Sequence, residues 1–188
     1  VYTTVSDTTT QRVKQFLAQL ADWPGTVVAV TKAATLDQCR DACAAGLTHF
    51  GENRVQNLLG RQSDLADLPV KWHLIGPLQS NKVNKTVGRV SLIHSVDSLG
   101  LAQKISQTAQ ATTPGQSQPV LLQVNWAAEP QKHGFAPDQL LSDVKTILAL
   151  PGLQVQGLMF IAPQGVDSAV LRQLFTGLGQ FKNRLEQQ

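Results

Sequence analysis

The chain has 188 residues, 42% of them hydrophobic and 15% charged, with a formal net charge of +3. This is an ordinary globular composition, long enough for one sizeable core, which excludes a disordered or fibrous chain. There is no dense Lys/Arg block, the dispersed charge suits anionic small molecules at least as well as nucleic acid, and no apolar stretch approaches a membrane span.

The first ten residues are Thr-rich and lack the apolar core of a signal peptide. The chain opens on Val1 rather than Met, which suggests that its start lies further upstream. A first helix follows, because Val13, Phe16, Leu17 and Leu20 repeat at i, i+3, i+4 and i+7 before the Trp23-Pro24-Gly25 break. Next comes an apolar, β-branched run over 27–31, read as a strand buried on both faces of a parallel sheet. Lys32 stands at its polar end. There an amine would project into the mouth of an α/β fold, where desolvation frees it to attack a carbonyl. The alternative is an ordinary surface lysine where strand meets solvent.

Thr35-x-x-Gln38 is a capping box that opens a second helix, and Gly46 suits its C-terminal cap. Leu36, Cys39, Cys43 and Leu47 fall on one face of it. Cys39 and Cys43 are the only cysteines. At i,i+4 spacing they read as buried thiols rather than a redox or metal pair, in keeping with a reducing cytoplasm. Further strands are expected over 48–51, 72–76, 92–96, 120–125 and 156–161. Asp97 is a candidate cap for a helix over 99–110. Pro137 suits the first turn of a helix carrying Leu140, Leu141, Val144, Ile147 and Leu148. The last helix follows Asp167 and places Leu171, Leu174, Phe175, Leu178 and Leu185 on one face.

Six strand–helix units in alternation predict a parallel sheet with right-handed crossovers. An eight-unit barrel usually takes about 250 residues. Either the sheet is open and doubly wound, or one or two closing units lie outside this chain. The sixth strand is too apolar for a bare edge and should be covered.

The expected strand ends are dense in polar groups: Glu52 and Asn53, His73, then Gln79, Ser80, Asn81 and Lys82, then His94, Ser95, Asp97 and Asn125. Met159 lies in the sixth strand. Polar groups converging at the C-terminal ends of parallel strands are the expected form of a barrel active site. Plainer readings stand beside this. His73 could be a satisfied core histidine, His94 a structural one, and His49 and His133 surface residues. Lys82, Lys85 and Arg89 form a basic face that is solvated unless it attracts phosphate. Glu129 and Lys132 would make a surface ion pair worth less than about 1 kcal/mol. Trp126 would either cover the pocket or pack.

Taken together, these segments resemble the pyridoxal-phosphate homeostasis proteins, single-domain relatives of the barrel of bacterial alanine racemase. The resemblance is carried by Ala29-Val30-Thr31-Lys32, by Phe50-Gly51-Glu52-Asn53 with Gln56, and by Trp72-His73-Leu74-Ile75-Gly76-x-Leu78-Gln79-Ser80-Asn81-Lys82. It continues through Ile93-His94-Ser95-Val96-Asp97-Ser98-Leu99, Gln123-Val124-Asn125 with Glu129-x-x-Lys132-x-Gly134, and Gly157-Leu158-Met159. The segments beginning at Trp72 and Ile93 are too specific for chance. The resemblance implies an α/β fold: a TIM-type (β/α) barrel of the fold-type III pyridoxal-phosphate class. Six of its eight units would be visible here, after an N-terminal helix, in one domain over 1–188 that lacks the last two units.

The same resemblance gives Lys32 the internal aldimine to pyridoxal 5'-phosphate. Asn53 would contact the cofactor's ring face or 3-hydroxyl, and His73, Asn81 and Met159 would line the ring pocket. The implied function is non-catalytic: a monomeric cytoplasmic protein that buffers or delivers the cofactor, with pyridoxal-phosphate-dependent apo-enzymes as partners. One departure stands out, since the family's phosphate cradle comes from segments after the sixth unit that this chain lacks. A racemase on the same barrel is the alternative, but it uses a second-domain tyrosine, and the single tyrosine here is Tyr2. A sugar-phosphate aldolase with Lys32 as Schiff-base former would leave the His-Leu-Ile-Gly and Ile-His-Ser-Val-Asp segments unexplained.

Overall fold

Caps and turn residues cut this chain into its elements. In the computed structural model, which describes residues 8–127 and 133–188, Thr8 and Thr35 each close a capping box with the glutamine three residues on. They start α1 (Thr9–Gln19) and α2 (Leu36–Ala44). Gly46 ends α2 at φ 109°, a left-handed conformation that costs glycine nothing. Its N–H bonds the Cys43 carbonyl, and the next N–H, of Leu47, bonds Ala42. Tyr2, Glu129 and Lys132 lie outside the described residues.

The strands are β1 (Ala29–Val30), β2 (His49–Glu52), β3 (Lys71–Leu74), β4 (Leu92–Val96), β5 (Gln118–Gln123) and β6 (Leu153–Met159). They form one six-stranded sheet in the order β1-β2-β3-β4-β5-β6, with β1–β2, β4–β5 and β5–β6 parallel. Sequential order with intervening helices is the β/α repeat of the TIM type. The other helices are α3 (Val55–Asp64), α4 (Leu99–Thr112), α5 (Pro137–Leu148) and α6 (Ser168–Glu186), with a 3-10 helix over Ser80–Lys85. Pro137 opens α5 as expected. Among the described residues no helix is long and apolar enough to cross a membrane.

By contact density the chain divides into two compact units, Val1–His73 and Leu74–Gln188. In the first, Cys39, Phe50, Leu58, Leu65 and Trp72 form the core, with Phe50 and Trp72 edge to face at 5.6 Å. In the second, Ile93, Ile105, Val120, Leu122, Leu140 and Ile147 are buried. There the chain entering β6 presses on α4. A Cβ on Gly152 would lie 2.3 Å from the Ser106 carbonyl oxygen, and Gly152 N–H donates to the Ser106 hydroxyl at 3.2 Å.

Several expectations need correction. β1 has only two ladder residues and is not buried on both faces: Val30 is 52% exposed, because β1 ends the sheet order and pairs only β2. Ser98, not Asp97, caps α4, its hydroxyl accepting the Leu101 N–H at 3.3 Å. The helix starts at Leu99, as expected, so Ser98, directly before it, occupies the cap position. Phe175 is exposed on α6 rather than buried, although its ring meets Phe160, just past β6, edge to face at 5.7 Å. The buried residues of α6 are Phe181 and Leu185.

Candidate functional site

The period of two along a strand sorts the side chains at the ends of β1 and β2. Ala29 pairs Phe50 and Val30 pairs Gly51, and the ladder continues with Thr31 N–H to the Gly51 carbonyl at 3.1 Å. Thr31 and Glu52 therefore share one face, and their hydroxyl and carboxylate meet there; Lys32 and Asn53 follow them, outside the two strands.

On that face lies a buried network. Thr31 is 3% exposed and Glu52 has no exposed surface. The Thr31 hydroxyl donates to Glu52 Oε1 at 2.6 Å, and Arg61 Nε lies 2.8 Å from the same oxygen. Arg61 Nη2 donates to the Ala34 carbonyl at 2.7 Å, and Nη1 to Cys39 Sγ at 3.4 Å. Burial pushes the Cys39 thiol up, against the opposing effect of the Arg61 charge. A protonated, enclosed thiol is inert, as its place on α2 predicts.

Beyond the end of β1 stands Lys32. Ala34 N–H bonds the Thr31 carbonyl at 2.9 Å, closing a turn in which Lys32 is the second residue. The side chain is exposed. The desolvated amine expected from the sequence is thus not what the chain shows, because the strand stops at Val30 and the turn carries Lys32 clear of the ladder. Asn53 is half-buried, and its Oδ1 is enclosed without a hydrogen-bond partner in the protein. Glu52 Oε2 is a second such atom.

His73 is buried, and its Nε2 lies 2.8 Å from His49 Nδ1. One nitrogen must donate and the other accept, so this edge of the His73 ring is committed to the pair. His49 is accordingly a half-buried partner of β3 rather than the expected surface residue. Burial lowers its pKa, with the Lys71 charge adding to the effect.

In the second unit, the buried Ser95 hydroxyl donates to the Gly76 carbonyl at 2.6 Å, fixing the loop that leads to the 3-10 helix. Asn81 sits exposed in that helix. His94 is half-buried, and burial lowers its pKa to about 4, so it is neutral at physiological pH. His133 is exposed, 3.6 Å from Asp97. At the end of β5, Asn125 N–H bonds the Phe135 carbonyl at 3.0 Å and Phe135 N–H bonds Gln123 at 2.8 Å. Met159 is half-buried at the end of β6, its carbonyl accepting the Val124 N–H at 2.9 Å. Trp126 packs on α6, its ring 5.2 Å from that of Phe181. Among the described residues no cluster of three or more His, Cys, Asp or Glu could hold a metal ion.

Sequence reasoning noted Glu52 only as a polar strand end and missed Thr31 and Arg61. One signal was available. Arg61 lies on the face of α3 that buries Val55 and Leu58, and a charge on an apolar stripe needs an enclosed partner.

Comparison with known proteins places this geometry in context. The family described as alanine racemase, N-terminal domain, matches residues 7–188. A pyridoxal phosphate homeostasis protein of Pseudomonas aeruginosa is 41% identical over 157 residues, covering 82% of this chain and 67% of that one. The chain thus spans about two thirds of that relative's length. The structure of PipY from Synechococcus elongatus with PLP bound superposes with a TM-score of 0.84 at 38% identity, over 93% of this chain and 82% of that one. An alanine racemase of Clostridium difficile shares the fold, with a TM-score of 0.78 at 13% identity over 95% of this chain and 47% of that one.

Proposed function

This chain belongs to the pyridoxal phosphate homeostasis proteins, within the alanine racemase N-terminal-domain family, and from that premise we propose that it binds pyridoxal 5'-phosphate without catalysis. Its role on this reading is to buffer the cofactor or deliver it. The observation that carries the reading is the pair at the ends of β1 and β2. An exposed primary amine on Lys32 follows β1, and Asn53, whose amide oxygen is enclosed and unpartnered, follows the strand paired with it, β2.

These groups fit the cofactor. When bound it supplies an aldehyde and a ring hydroxyl, an electrophile and a hydrogen-bonding group. Lys32 would hold the cofactor through its amine, for which the aldehyde supplies the electrophile. Asn53 would orient the ring through its amide, whose oxygen has no hydrogen-bond partner in the protein. The family pattern adds His73, Asn81 and Met159 as further contacts. The recipients on this reading are pyridoxal-phosphate-dependent apo-enzymes. The chain would act as a monomer in the cytoplasm, a setting that suits its two unpaired cysteines. Kinship with the homeostasis proteins supports a non-catalytic role, whereas the 13% likeness to alanine racemase concerns the fold alone.

The test is to titrate the purified chain with pyridoxal phosphate, following absorbance, then add L-alanine or a pyridoxal-phosphate-dependent apo-enzyme. The expected result is a saturable yellow band, no D-alanine, and recovered activity of the apo-enzyme. No band would overturn the binding, and D-alanine would overturn the non-catalytic reading.

A further inference from the structure

We propose that Arg61 and Glu52 are positioning residues for Lys32, fixing the turn that presents its amine. The inference rests on the reading of Lys32 as the cofactor's covalent partner. Lys32 lies between two anchored residues. On one side the Thr31 hydroxyl is bonded to Glu52 Oε1 at 2.6 Å. On the other the Ala34 carbonyl accepts from Arg61 Nη2 at 2.7 Å. Arg61 Nε, 2.8 Å from Glu52 Oε1, joins the anchors into one closed unit. The guanidinium thus holds one end of the turn directly, at Ala34, and the other through Glu52, across a closure from Ala34 N–H to the Thr31 carbonyl of 2.9 Å. A point-charge ammonium cannot hold both partners in this geometry.

The arrangement is poorly explained by stability. Glu52 Oε2 is enclosed and unpartnered, which an arrangement selected only for folding would avoid. A buried ion pair is often matched in stability by apolar residues, and its attested use is in specifying geometry. A reactive amine needs its supporting residues locked to a fraction of an ångström, and misplacement lowers reactivity steeply.

The experiment uses the full chain carrying Arg61→Lys or Thr31→Val, the latter removing one anchor and leaving the ion pair. In the cofactor-free protein, amide hydrogen exchange is read over residues 31–35. With pyridoxal phosphate, the rate of borohydride-trapped labelling at Lys32 is read. Both variants should exchange faster in this segment and label about tenfold more slowly, with exchange elsewhere unchanged. Labelling and exchange equal to the unsubstituted chain in a folded variant would overturn the positioning role while leaving the Lys32 reading intact. A label on another lysine in the unsubstituted chain would overturn the assignment of the cofactor to Lys32, with the exchange measurement still deciding the anchoring. If Arg61→Lys does not fold, Thr31→Val decides. Unfolding of both would overturn the proposal and make the network purely structural.

Discussion

Arg61 Nε lies 2.8 Å from Glu52 Oε1, pairing a guanidinium with a carboxylate that has no exposed surface. Removing one member of such a pair strands the other. Arg61→Met should lower the unfolding free energy by about 3–5 kcal/mol, while adding Glu52→Leu to it should restore most of that loss. Urea denaturation of the two variants measures both. A double variant no more stable than the single one would contradict the pairing.

This network also marks where the sequence stops being legible. The capping box at Thr35, the left-handed Gly46 and the opening Pro137 depend on residues within one turn of each other, and the structure has all three. The element order and the parallel sheet were legible for the same reason, since each hydrophobic period is local. The Arg61–Glu52 and His49–His73 contacts join residues 9 and 24 positions apart, through strand register and helix rotation; a local pattern can show that Arg61 needs a partner but not which residue it is. Ser98 in place of Asp97 at the α4 cap is a slip of one residue, where both candidates are good caps. The exposure of Val30 follows from its place at the end of the sheet order, which composition does not reveal.

Acid should weaken the fold through His94. Burial holds its pKa at about 4, so the folded chain resists a proton that the unfolded chain accepts near the ordinary value of 6.5. Stability is then complete above that value and is lost as pH falls from it toward about 4. Because the ring is only half-buried, the loss is of order 2 kcal/mol. Melting temperatures of the protein and of His94→Gln, compared at about pH 7.5 and about pH 5, check this. The variant should lose less on acidification, and parallel profiles would contradict the assignment.

Gly134 holds the end of β5 in place. Its φ is 133°, and a Cβ there would lie 2.6 Å from the Asn125 backbone nitrogen. That nitrogen and the next nearest atom, the Val124 carbonyl carbon at 2.9 Å, are both backbone, so Gly134→Ala must displace the segment that bonds Gln123 and Asn125 through Phe135. The expected cost is about 1–3 kcal/mol. Chemical denaturation measures it, with faster amide exchange at Asn125 as the local signature. Unchanged stability and exchange would show that the close approach is not required.

Lys32 is the residue on which the functional reading turns, and chemical trapping tests it most directly. The chain is equilibrated with pyridoxal phosphate, reduced with borohydride, digested and mapped by mass spectrometry. The predicted result is a single label on Lys32. Lys32→Ala should lose both label and yellow band while melting as the unsubstituted chain does, because an exposed side chain beyond the strand end contributes little packing. A label on Lys82 or Lys85 in the intact chain, or a band that survives in Lys32→Ala, would contradict it.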